Sequence, residues 1–151
     1  MNPIYLFLLA SIIAVIGLVI LFKRLGLSME DKLEKGEDVT QESFQRETNR
    51  FFMMAPLVEM IPILLVVLAF MQMEGWAGEL TQDDIVFPIV IVVIIWFFGG
   101  LNVFLTRKRI LMATDVKSNS KNYINTLSFI SFALIGSLPV ISIVGLILFT
   151  A

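Results

Sequence analysis

The chain has 151 residues, 58% hydrophobic and 16% charged, with 11 Lys plus Arg against 13 Asp plus Glu for a net charge of −2. It contains no His and no Cys, which excludes imidazole and thiolate metal sites, Cys nucleophiles, redox dithiols and Ser-His-Asp triads. A mean hydropathy of +0.90 lies far above that of a water-soluble domain and predicts one small membrane domain.

Four stretches are long and apolar enough to cross ~30 Å of hydrocarbon: 3–22, 51–71, 85–105 and 124–150. Their apolar residues run all round without an amphipathic period, as in lipid-embedded helices. Lipid offers backbone groups no partner, so helices are the expected conformation. The predicted fold class is an all-α, four-helix, multi-pass membrane protein.

The first span has no basic leader and no Ala-x-Ala cleavage site, and it is followed by Lys23 and Arg24. It is expected to stay as an anchor with its N-terminus outside. In the loop 23–50, Ser28-Met-Glu-Asp31 reads as a capping box opening a short charged helix that Gly36 ends. From Thr40 the helical pattern resumes and runs into the second span without Gly or Pro, so that helix is expected to project two or three turns from the membrane. The loop 72–84 is acidic, with Glu74, Glu79, Asp83 and Asp84. The third span carries Trp96, Phe97 and Phe98 before Gly99 and Gly100, and the loop 106–123 leads to the fourth.

Charge sets the expected orientation. Lys23, Arg24, Lys32, Lys35, Arg46 and Arg50 fall in the first loop, and Arg107, Lys108, Arg109, Lys117 and Lys121 in the third. The middle loop holds no basic residue. By the positive-inside rule both basic loops are cytoplasmic, with the termini and the middle loop outside, as in a bacterial-type inner or plasma membrane. The basic clusters read as topology signals rather than as a surface for anionic lipid or nucleic acid. No dinucleotide or P-loop glycine pattern occurs, and no cofactor or metal is implied.

Of all the charged residues only Glu59 lies within a span. Eight residues from Phe51, it sits about 12 Å deep at 1.5 Å per residue. A charge there costs about 3 kcal/mol on insertion scales, so the neutral, proton-bound acid is the expected form. Pro56 and Pro62 bracket it at −3 and +3. Each lacks an N–H, which frees the carbonyls of Phe52 and Val58. The Val58 carbonyl lies beside the acid as a possible acceptor for its proton. Ser137 and Ser11 are candidate hydrogen-bond partners at similar depth, while Asn102 is expected at the basic end of the third span. The competing reading of Glu59 is a protonated acid bonded to a neighbouring helix for packing alone.

The segment Leu57-Val58-Glu59-Met60-Ile61-Pro62, in a Phe-rich entry and apolar run over 51–70, resembles the second helix of subunit c of the rotary ATP synthases. The resemblance implies an ion carrier at Glu59, and a proton rather than sodium because Met60 follows it. A second register places Phe129 on Phe52, Leu134 on Leu57, Gly136 on Glu59 and Pro139 on Pro62. Two such hairpins look like the duplicated proteolipids of V-type ATPases, although in those the acid usually lies in the last helix. Two departures matter. The first span has only Gly17 where the family has closely spaced glycines, and the family's Arg-Gln-Pro loop reads Val39-Thr-Gln41.

Two functions follow as expectations. One is a proton-translocating proteolipid working as a homo-oligomer, with Glu59 carrying the proton and Pro56, Val58, Pro62, Gly136 and Ser137 supporting it. The other is a diverged accessory or assembly subunit that docks to another integral membrane complex. Catalysis by the chain alone is poorly supported, since one buried acid is too small a set.

Overall fold

The structure is a computed structural model that describes residues 2–75, 82–112 and 118–148. Four helices, α1 (Pro3–Glu34), α2 (Gln41–Glu74), α3 (Gln82–Met112) and α4 (Ser118–Leu148), account for nearly all of them. Each is long and apolar enough to cross a membrane. All four extend past the expected spans at the end of the bundle where the basic residues gather.

Local chemistry explains the helix ends. Asn2 caps α1 by accepting the Ile4 N–H at 3.0 Å, and Pro3 fills the first turn, where its missing N–H costs nothing. At the other end Gly36 adopts a φ of 73°, while the N–H groups of Gly36 and Glu37 donate to Leu33 and Lys32, each at 3.0 Å. That double closure needs the left-handed conformation glycine permits. Thr40 then caps α2 by accepting the Ser43 N–H at 3.2 Å, and α2 runs unbroken into the apolar span, as expected.

The capping box expected at Ser28 does not form: Ser28 lies inside α1. Phe22, Leu25, Met29 and Leu33 continue the buried face at helical spacing, so continued packing outweighs a local stop signal.

α1 packs against all three other helices, whereas α2 and α3 make no close contact with each other among the described residues. Side-chain contacts give the directions. Val58 of α2 meets Gly17 and Phe70 meets Phe7, so α1 and α2 are antiparallel. Val15 and Val19 meet Gly99, and Thr106 meets Gly26, so α1 and α3 are parallel. Phe132 meets Gly100 and Trp96 meets Gly136, so α3 and α4 form a second antiparallel hairpin. The two hairpins stand side by side, with α4 leaning across onto α1. The core follows from this plan: α1 and α4 are the buried pair, and α2 and α3 turn most of their apolar surface outward.

Glycines sit where a neighbouring helix seats a side chain. A Cβ on Gly99 would lie 2.7 Å from Val15 and 2.8 Å from Ile135, so this position accepts side chains from α1 and α4 at once. Small residues supply the close approach that membrane helices need, since lipid gives no hydrophobic push between them.

Candidate functional site

α2 carries a stripe of buried residues, Glu47, Phe51, Ala55, Pro62, Val66 and Ala69. The three- and four-residue spacing keeps them on one face, with one turn missing between Ala55 and Pro62. Val58 and Glu59, both half-buried, occupy that turn. Val58 presses its side chain against Gly17 of α1. Next to it, Glu59 Oε1 is buried and has no hydrogen-bond partner among the described residues. Its neighbours Pro56, Leu57, Met60 and Ile61 are exposed on the outer side of α2. The acid therefore lies on the margin between the helix-packed face and the lipid-facing one.

A single chain of contacts sets the depth of this site. Val58 touches Gly17; Val15 and Val19, which flank Gly17, touch Gly99; Gly99 touches Ile135, beside Gly136. Glu59 thus lies at a waist where three helices carry glycine.

The proposed supporting residues separate into two groups. Pro56, Val58 and Pro62 accompany the acid on α2, which stays helical through both prolines. The α4 residues do not reach it. Gly136 shares the depth of Glu59 but faces α3, where a Cβ would lie 2.9 Å from Trp96 Nε1. The Ser137 hydroxyl donates to Leu134 O at 2.7 Å and that of Ser11 to Phe7 O at 3.0 Å. Both hydroxyls are satisfied by their own helix turn, which is always within reach, so neither bonds to the acid. Asn102 does the same, donating to Phe98 O at 2.9 Å.

Other polar groups at hydrocarbon depth are left open. Trp96 Nε1 and the hydroxyls of Ser131 and Ser142 are buried without partners among the described residues. Among the described residues no group of three or more acidic side chains is placed to share a metal ion.

Sequence reading did not find the cross-helix polar contacts of the basic end. Arg109 Nε donates to Glu30 Oε1 at 2.9 Å, joining α3 to α1. Lys32 Nζ lies 3.4 Å from Glu47 Oε1, joining α1 to α2. Arg107 Nε donates to Asn125 Oδ1 at 2.8 Å, and Phe44 stacks on Tyr123 with centroids 4.6 Å apart. Partners 79 residues apart, as Arg109 and Glu30 are, leave no local signal. Lys117 lies outside the described residues.

No family model, curated protein or solved structure matches this chain. The functional reading therefore rests on its own residues and their placement.

Proposed function

We propose that the protein is a proton-binding membrane subunit in which Glu59 takes up and releases a proton, in the manner of an ATP synthase proteolipid. One observation carries this reading: a lone intramembrane carboxyl at the rim of the bundle, with a buried oxygen that no group among the described residues engages. An acid kept only for packing is expected to be bonded to a neighbouring helix. An acid that exchanges its proton instead needs a side open to a second subunit or an aqueous path, and the lipid-facing margin of α2 supplies one. Two parallel hairpins side by side suit a row of such units in a homo-oligomer. The basic end faces the cytoplasm in this proposal, because that end carries the Lys and Arg excess.

The test joins labelling to transport. A hydrophobic carbodiimide should modify Glu59 at near-neutral pH, and proteoliposomes should conduct protons in a way that Glu59→Gln abolishes. If Glu59 resists the reagent, or the variant conducts like the parent, the proposal fails.

A second reading has its own observation. α2 and α3 leave two broad apolar faces, on opposite sides of the bundle, uncovered among the described residues. An accessory subunit docked within a larger membrane complex would cover them, with Glu59 meeting a basic or polar group of the partner. Extraction in mild detergent separates the two: a homo-oligomer supports the carrier, and a different subunit retained at fixed stoichiometry supports the accessory role.

A further inference from the structure

At the basic end, where α1 and α2 leave the apolar span, a cleft of about 210 Å³ lies between the two helices. Arg24 and Ser28 of α1 and Arg50 of α2 line it, above an apolar wall that includes Leu21, Phe51 and Met54. Several other basic side chains at this end are already engaged: Lys32 with Glu47, Lys35 with Asp31, Arg107 with Asn125 and Arg109 with Glu30. Arg24 and Arg50 have no such partner among the described residues, and they share one cleft. The one acid in its lining, Glu47, has its charge offset by Lys32 at 3.4 Å.

We propose that this cleft binds the headgroup of an anionic phospholipid from the leaflet at the basic end. Arg24 and Arg50 hold the phosphate from the two helices, and the Ser28 hydroxyl donates to it. The acyl chains run down past Leu21 and Met54 onto the lipid-facing side of α2. The chemistry selects this ligand in three ways. Guanidinium groups match phosphate oxygens with paired donors. Two cations without counter-ions disfavour a zwitterionic headgroup, whose own cation they repel. The apolar wall, continuous with the membrane-facing surface, suits a phosphate that carries acyl chains rather than a free one. The inference is independent of proton binding at Glu59, because no step of it uses that residue.

Native mass spectrometry of the purified protein, released from micelles doped with equal phosphatidylglycerol and phosphatidylcholine, provides the test. The parent should retain phosphatidylglycerol selectively. With about 1 kcal/mol for each cation near an anionic surface, Arg24→Gln/Arg50→Gln should cut that selectivity about 30-fold, and either single change about 5-fold. Lys108→Gln/Lys121→Gln removes the same charge from α3 and α4 and should leave the selectivity unchanged. The Lys pair at positions 24 and 50, Arg24→Lys/Arg50→Lys, should keep part of it. Equal loss in the two double Gln variants would overturn the proposal in favour of diffuse attraction, as would a parent without preference. Displacement of the lipid by millimolar inorganic phosphate would also overturn it, by identifying a soluble ligand.

Discussion

The basic end of the bundle and its glycine waist handle polar groups in opposite ways. At the basic end, Arg109 pairs with Glu30, Lys32 with Glu47 and Arg107 with Asn125, each across two helices. At the waist and beyond it, serine hydroxyls bond within their own helix or to nothing among the described residues, and Glu59 Oε1 likewise stands unpartnered there. Long basic side chains near water can reach between helices, whereas at the waist the space beside each glycine is filled by an apolar or aromatic side chain of a neighbouring helix, Val58 at Gly17, Phe132 at Gly100 and Trp96 at Gly136. The basic end of this molecule is therefore tied by polar side-chain contacts, and its waist by side chains seated on glycine.

Substitutions can break that contrast, the largest effect falling at the waist. Gly17→Leu places a branched side chain where Val58 already presses, so α2 must move off α1. Thermal unfolding in mild detergent should report a loss of about 3 kcal/mol. Arg109→Ala comes next. The Glu30 side chain is only 11% exposed although that of Arg109 is 68% exposed, so the variant strands a shielded carboxylate. The same assay should show a loss of about 2 kcal/mol. Glu59→Gln should change stability by less than about 1 kcal/mol, since no hydrogen bond is lost, while eliminating proton conduction. A large destabilisation would instead make Glu59 a packing group and dissolve the contrast.

The smallest effect belongs to the exposed pair Lys35–Asp31, whose atoms lie 2.7 Å apart. The hydrogen bond from Lys35 to Asp31, together with the carboxylate's charge, holds the ammonium above the ordinary lysine value of 10.5. The sign follows: the pair contributes below that ordinary value and fades as pH rises through the raised one. Lys35→Gln should leave the unfolding temperature unchanged at neutral pH, because solvent screens so exposed a pair. A measurable drop would show that surface ion pairs matter at this end as much as shielded ones.

Much of the fold was legible in the amino-acid order because lipid imposes a simple rule. Apolar runs of sufficient length had to be helices, and Thr40 and Gly36 marked a start and a stop through local hydrogen bonds. Ser28 misled because a local cap competes with burial of Phe22, Leu25, Met29 and Leu33, which becomes decisive only once partner helices are present. The acid and its two prolines could be read from one helix. Which way Gly136 and Ser137 face could not be read from the sequence, because apolar helices carry little sign of which face meets which.

The sequence by itself determined four apolar helices, one end of the bundle rich in Lys and Arg, and a single acid within the membrane. These follow from composition along the chain, which solvent and lipid sort without reference to partners. Only the tertiary structure decided that α1 stands at the centre, that α2 and α3 face away from each other, and that Glu59 lies at the lipid-facing margin of a glycine waist. Those outcomes depend on shape complementarity between residues remote in sequence, such as Val58 with Gly17 and Gly99 with Ile135. Such contacts exist only once the helices have packed.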